Sequence, residues 1–252
     1  MPVFLELVFQ RLCVGTNEKT FDLTLWEFGE IYIEAVDPYS ESSISALTAH
    51  LYLCASKSAP SLVRIWFSEC KNRQLTIAVE KFTEKYFSPI LIKEEIRFLQ
   101  SQKYQDMSIK VNTNTYEINA SCTIEEAELD IIIKIPPSFP LLLVEVSSGS
   151  AGGRHAGISE SRWRAWLLSI SSVMISQYGS VADALMLFRK NVSLHFEGIE
   201  DCAICYSVIS PVDRSTPQKS CRVCKHVFHG SCLFKWFKSS NQNSCPLCRQ
   251  PF

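Results

Sequence analysis

The sequence predicts an α+β chain in three parts: a helical segment over residues 1–104, an antiparallel sheet with helices over 105–198, and a small cysteine-rich module over 199–252. Three observations carry this reading. Apolar residues recur at helical spacing up to about Gln102 and again after Ser159. They alternate strictly between Tyr116 and Ile135. Seven of the eleven cysteines then fall between Cys202 and Cys248. A chain of 252 residues has room for two or three small domains of this kind.

In the first part, Ser43 is placed to cap a helix with Ile44, Leu47 and Leu51 on one face. Leu75, Val79, Phe82 and Tyr86 repeat at helical spacing, and Ile92, Ile96 and Leu99 continue the pattern. These stripes read as packing surfaces between helices. Cys13, Cys54, Cys70 and Cys122 are scattered among apolar neighbours and are expected to be buried thiols.

The period then changes from helical to alternating. Tyr116, Ile118, Ala120, Cys122 and Ile124 form one strand pattern, and Ala127, Leu129, Ile131, Ile133 and Ile135 another. Ile109 and Val111 suggest a preceding strand, and Leu141 to Val146 a following one. Short polar connections at 112–115 and 125–126 imply an antiparallel meander. Pro136-Pro-Ser-Phe-Pro140 removes backbone donors and predicts a rigid irregular crossing. Residues 147–157 hold four glycines and read as an exposed loop. A helix from about Ser159 buries Trp163, Trp166, Leu167, Ile170 and Met174. Gly179 suits its C-cap, and Ser180 with Asp183 suits a capping box for the next helix. That helix buries Val181, Ala184, Leu185, Phe188 and Val192. Only residues 197–201 separate it from Cys202, a joint too short to be a loose tether.

Composition excludes several classes of function. The 46% hydrophobic and 20% charged content describes a globular chain. A net charge of −1 gives no bulk attraction to nucleic acid or acidic membranes, so neither DNA nor a membrane is an expected partner. From Cys202 onward seven Lys or Arg face one acid, Asp213, which points toward an acidic partner. Glu200, Asp201 and any bound thiolates offset part of that charge. The opening residues lack a secretion signal, and no apolar run approaches the ~18 residues of a membrane span. Paired cysteines in such a chain favour metal in a reducing compartment, so the expected location is the cytosol.

Cys202-Ala-Ile-Cys205, Cys221-Arg-Val-Cys224, His229-Gly-Ser-Cys232 and Cys245-Pro-Leu-Cys248 each leave two residues between potential ligands. That separation lets a tight turn put both on one edge of a zinc tetrahedron. Eight ligands make two closed Zn2+ sites with no position left for water, so the metal holds a shape and hydrolyses nothing. So short a segment buries little apolar surface, and zinc supplies much of its folding free energy. One ambiguity stands in the ligand set. Cys224-Lys-His226 followed by His229 gives another six-cysteine, two-histidine set that frees Cys221. Spacing favours Cys221 with Cys224, which leaves His226 on the surface.

Two families share this ligand order, the RING fingers and the PHD fingers, and residues between the ligands separate them. Ile204 inside the first pair, Trp236 after Cys232, and Pro246 with Leu247 inside the last pair resemble the RING pattern. In that pattern they form a shallow apolar groove that docks a ubiquitin-conjugating enzyme. The alternative is that they merely pack the small core. A PHD finger carries an aromatic residue two positions before the seventh ligand, where this chain has Asn243. Arg249 matches the RING position that bridges the conjugating enzyme and its ubiquitin, a contact suited to a five-donor guanidinium. It could equally be an ordinary surface arginine.

The resemblance narrows further. The runs 202–209, 225–240 and 244–249 look like the C-terminal RING of the Listerin family, the ubiquitin ligases of ribosome-associated quality control. Ile135-Pro-Pro-Ser-Phe-Pro140, Trp163-Arg-Ala-Trp166 and Asn191-Val-Ser-Leu-His-Phe-Glu-Gly198 resemble that family's RWD domain. The specific likeness covers residues from about 105 to 252. It implies an RWD-like domain at 105–198 and a cross-brace RING at 199–252, with 1–104 as the end of a helical repeat array. Two departures matter. The RWD pattern has a second proline where this chain has Leu141 to Val144, and the long repeat array of the family is missing, so a fragment or shortened version is expected. The RWD fold is related to conjugating enzymes, but no His-Pro-Asn motif is present, so the chain is not read as a conjugating enzyme itself.

As the family implies, the chain is expected to be a RING-type E3 with no catalytic residue of its own, because no covalent intermediate forms on it. A substrate lysine attacks the thioester between ubiquitin and the conjugating enzyme, and the RING restricts the ubiquitin to an attack-ready pose. Expected partners are the charged conjugating enzyme, the large ribosomal subunit with its stalled nascent chain, and quality-control cofactors on the ribosome. The competing expectation is a non-enzymatic zinc module, either a PHD-like reader or a ribosome-binding adaptor.

Overall fold

The computed structural model describes residues 2–24, 28, 37, 39–104, 106–125, 127–149, 156–176 and 179–252. Its first part is helical, with α1 (Pro2–Arg11), α2 (Glu41–Ser58), α3 (Pro60–Glu69), α4 (Arg73–Tyr86) and α5 (Ser88–Ser101). Leu5, Phe9, Tyr52, Trp66, Val79, Phe82 and Phe87 share one core. Phe9 stacks on Trp66 at 5.3 Å, and Tyr52 meets both Phe9 and Phe87 edge-on at 4.9 Å, the offset geometries that aromatic quadrupoles favour.

The stripes on α4 and α5 lie as expected, with Val79, Phe82, Ile92, Ile96 and Leu99 buried. The face of α2 does not. Its N-cap is Ser40, whose side chain accepts from the N–H of Ser43, and its buried face is Ala46, Ala49, Tyr52 and Leu53. Leu51 is exposed. Tyr52 is the largest apolar side chain on α2 and is fully buried, and seating it turns Leu51 outward. Burial of the scattered thiols is also corrected: Cys122 is buried, Cys13 and Cys70 are half-buried, and Cys54 is exposed.

Four strands follow, β1 (Met107–Asn112), β2 (Glu117–Ile124), β3 (Ala127–Lys134) and β4 (Glu145–Ser148), paired antiparallel in the order β1-β2-β3-β4. The alternation seats Ile118, Ala120 and Cys122 on the covered face beside Leu129, Ile131 and Ile133. Asn112 turns the first hairpin by accepting from the N–H groups of Asn114 and Thr115. The last strand begins later than the apolar run suggested. Leu141 leaves the sheet and joins the helical core. The crossing before it is pinned from the helical side: Ser88 Oγ donates to the Phe139 carbonyl at 2.6 Å, and Arg64 donates to the Pro140 carbonyl at 3.3 Å. Phe139–Pro140 is cis.

Helices α6 (Glu160–Ile175) and α7 (Val181–Phe196) cover the sheet. Ser159 caps α6, and Trp163, Ile170 and Met174 are its buried residues, with Trp166 and Leu167 half-buried. Its C-cap is Ser176, not Gly179. The Ser180–Asp183 capping box on α7 is formed, and all five residues expected on its inner face are buried. Of the glycine-rich loop, Ser147 and Ser148 belong to β4, and 150–155 lie outside the described residues.

The final module has a small hairpin, β5 (Lys219–Ser220) with β6 (Val227–Phe228), and one helix, α8 (Gly230–Ser240). Asn241, left-handed at φ 52°, ends α8. Among the described residues, no helix is long and apolar enough to cross a membrane.

Candidate functional site

Three of the four ligand pairs sit in the same backbone turn. In each, the residue after the second cysteine is left-handed: Tyr206 at φ 57°, Lys225 at 64° and Arg249 at 57°. Their N–H groups return to the carbonyls of Cys202, Cys221 and Cys245 at 2.7, 3.0 and 2.9 Å. The N–H groups of those first cysteines donate to Ser207, His226 and Gln250. The turn aims both sulfurs of a pair to one side. The fourth pair lies at the start of α8, where His229 is the N-cap and Cys232 follows in the first turn.

The pairs interleave, the first with the third and the second with the fourth. Ligand atoms of Cys202, Cys205, His229 and Cys232 lie within 4.8 Å of one another, and so do those of Cys221, Cys224, Cys245 and Cys248. Cys221 and Cys248 sulfurs are 3.6 Å apart, as are those of Cys224 and Cys245. A zinc tetrahedron with ~2.3 Å bonds to sulfur has edges of roughly 3.8 Å, so the spacing fits the ion. In the first cluster His229 Nδ1 is 3.3 Å from Cys205 Sγ and 3.8 Å from Cys232 Sγ. Its Nε2 faces the Val208 carbonyl at 3.2 Å. A carbonyl only accepts, so Nε2 carries the proton and Nδ1 presents its lone pair to the metal position. The donor sets therefore fit two zinc ions, one of four thiolates and one of three thiolates and an imidazole.

This geometry bears on the ligand ambiguity. Cys221 is buried inside the second cluster, while His226 is exposed with Nδ1 3.1 Å from the Cys224 carbonyl.

The remaining predicted residues lie around these clusters. Ile204 is half-buried in the first turn and packs against the module's core. Trp236, on α8, donates its Nε1–H to the Ser244 carbonyl at 3.1 Å, which ties the helix to the segment entering the last turn. The residue remains 36% exposed. Pro246 is half-buried, and Leu247 and Arg249 are exposed beside it. Sequence reasoning passed over Tyr206, Val223 and Phe234, which are also exposed apolar groups on this module.

It also passed over a fourth turn of the same form at Ser210–Ser215. Ser210 N–H donates to the Ser215 carbonyl at 2.9 Å, and Arg214, left-handed at φ 57°, donates back to Ser210 at 3.0 Å. Ser210 and Asp213 stand where the other turns have cysteines. Hydrogen bonds close it instead of metal: Asp213 accepts from the Ser215 hydroxyl at 2.8 Å and its N–H at 3.3 Å. The sequence signal was the repeated spacing itself, hidden by the change of residue type.

Comparison with known proteins places each part. The family profile for the LTN1 family HEAT repeat region matches residues 1–100, that for ubiquitin conjugating domain-like proteins matches 107–195, and that for the Ring finger domain matches 200–249. The chain is 45% identical over 216 residues to the E3 ubiquitin-protein ligase listerin of Schizosaccharomyces pombe, covering 83% of the chain and 13% of that protein. It is 40% identical over 211 residues to the Mus musculus protein of the same name, covering 83% and 12%. With the Neurospora crassa protein the identity is 34%, covering the whole chain and 16% of that relative. The chain thus spans less than a fifth of the length of these relatives. Within the conjugating-domain-like span the one cysteine is Cys122, buried in the sheet, where loss of water pushes its thiol up to about 11. Burial and the raised thiol keep that group protonated and away from solvent near neutral pH.

Proposed function

Because the chain belongs to the listerin family of E3 ubiquitin-protein ligases, we propose that it acts as a RING-type E3 ubiquitin transferase toward nascent chains stalled on the large ribosomal subunit. The supporting observation is the pair of interleaved four-donor clusters, with Trp236 braced beside the last turn and still exposed. Bound at the eight ligands, zinc supplies structure alone, since four protein donors leave no open position. The chain's own residues do the rest.

In this reading Ile204, Trp236, Pro246 and Leu247 dock a ubiquitin-charged conjugating enzyme. Arg249, directly after the eighth ligand, grips carbonyls of the enzyme and of its ubiquitin. The bound thioester is held in one pose, and the attacking amine comes from the substrate lysine, so the rate gain is one of orientation. The working parts are a helical segment at 1–104, an RWD-like domain at 105–198 that contacts the ribosome with its quality-control cofactors, and the RING at 199–252. This chemistry belongs in the cytosol.

The test is autoubiquitination of the 252-residue chain with a panel of conjugating enzymes. Wild type should form ubiquitin conjugates with at least one of them, and Trp236→Ala should lose most of that activity. Equal silence of both across the panel would sink the ligase reading in favour of a non-enzymatic binding module. Cosedimentation with purified large subunits tests the ribosomal part separately: wild type should sediment with them, and a chain that stays in the supernatant would contradict it.

A further inference from the structure

The spacer between Cys205 and Cys221 reaches back into the sheet domain. Ile209 is buried in the core of that domain, and Val208 packs against it. Thr216 lies so close to Gly157, left-handed at φ 82°, that a Cβ there would come 3.0 Å from the Thr216 nitrogen. At the centre of this contact is Glu125, in the two-residue connection between β2 and β3. One of its oxygens accepts from the N–H of Val208 at 2.7 Å, and the other from the N–H of Ile209 at 3.0 Å.

The second of these bonds is part of a longer chain. The N–H of Ile209 and the carbonyl of Val208 belong to the same peptide group. That carbonyl receives the Nε2–H of His229 at 3.2 Å. A carboxylate, a peptide group, an imidazole and the first metal position are therefore connected in series. Each donor polarises the next, so negative charge on Glu125 favours the His229 tautomer that presents Nδ1 to the metal.

The backbone supplies an independent argument. Glu125 is left-handed at φ 53°. Tight hairpin connections of this conformation favour glycine, which has no Cβ to clash, or asparagine and aspartate, whose short side chains bond the local backbone. A glutamate standing at such a position, with both oxygens bonded to the spacer, points to work for its side chain.

We propose that Glu125 is a positioning residue: it locks the zinc module onto the sheet domain and, through the Val208–Ile209 peptide group, holds His229 in its metal-binding form. Its effect on ubiquitin transfer, which rests on the ligase reading above, is to fix the direction in which the docking surface faces.

Glu125→Gly tests this without endangering the fold, since glycine relieves the left-handed backbone while deleting the carboxylate. In the full chain, amide hydrogen exchange at 206–212 should accelerate at least tenfold in the variant, with β2 and β3 as protected as in wild type. One of the two zinc ions should leave to a chelator about tenfold faster, the scale usual for loss of a hydrogen bond behind a metal ligand. Glu125→Gln, which keeps one acceptor oxygen, should fall between. Discharge of a charged conjugating enzyme onto free lysine should stay within twofold of wild type. Wild-type exchange at 206–212 together with wild-type release of both ions would overturn the proposal. So would a discharge defect as large as that of Trp236→Ala, which would put Glu125 in the docking surface. If wild type itself discharged nothing, the ligase reading would fall, while exchange and metal release would still decide the role of Glu125.

Discussion

Cys221→Ala should remove one zinc ion from the chain, whereas His226→Ala should leave both. The structure sets the size of the difference. Cys221 is one of four sulfurs in a closed cluster, 3.6 Å from Cys248, and among the described residues that cluster holds no fifth donor. Structural zinc sites bind with an apparent 10–16 kcal/mol, so one ligand in four carries about 3 kcal/mol. Losing it weakens binding by on the order of a hundredfold. The His226 side chain is exposed, with Nδ1 3.1 Å from the Cys224 carbonyl, while its backbone carbonyl accepts from Cys221 whatever the side chain. Surface changes of that kind stay within about 0.5 kcal/mol, or roughly a twofold effect. Metal content by mass spectrometry, after dialysis under reducing conditions against a weak chelator, reads the outcome directly. Two zinc ions per chain in wild type and His226→Ala, with one in Cys221→Ala, is the expected pattern. Two ions in Cys221→Ala with one in His226→Ala would refute the assignment.

Three further outcomes follow from other parts of the molecule. Removing both zinc ions with a strong chelator should unfold 202–252 while sparing the sheet, so hydrogen exchange should rise in the module and stay low in β2 and β3. Concerted loss of both would contradict the separate cores around Ile131 and Phe228. Thr83→Val should cost about 1–2 kcal/mol, because the Tyr52 hydroxyl and Thr83 Oγ1 are both buried and bonded at 2.9 Å. A urea midpoint equal to wild type would show that bond to be dispensable. In the zinc-loaded native chain, alkylation near neutral pH should mark Cys54, which is exposed, and spare Cys122, which is buried with its thiol pushed up to about 11. Mass mapping that found Cys122 modified first would place it outside the core.

Local pattern carried much of this architecture and long-range contact the rest. The alternation from Ile118 to Ile135 had only one good solution, because a one-residue register slip would turn Leu129, Ile131 and Ile133 away from the covered face. The two-residue separations in the cysteine pairs likewise determined the turns around Cys202, Cys221 and Cys245. The start of β4 was not legible. Leu141 is apolar enough for a strand, but Ser88 and Arg64, more than fifty residues upstream, hold the preceding carbonyls and hand it to the helical core. Leu51 was misplaced for a similar reason: helical spacing fits it as well as Tyr52, and only the aromatic partners Phe9 and Phe87 decide between them. Glu125 was invisible because its partners lie over eighty residues away and are backbone N–H groups, which leave no mark on side-chain pattern. The short joint at 197–201 suggested a fixed module, yet the hydrogen bonds that reach it from Glu125 go to Val208 and Ile209 in the spacer.

In the proposed function the zinc-held surface docks a charged conjugating enzyme. Single-turnover discharge of ubiquitin from such an enzyme onto free lysine, with the zinc-loaded 252-residue chain added in excess, measures that most directly. Wild type should accelerate discharge at least tenfold over the unassisted thioester, and Trp236→Ala should lose most of the gain while keeping two zinc ions. Acceleration that survives Trp236→Ala undiminished, or that persists after the metal is removed, would contradict it.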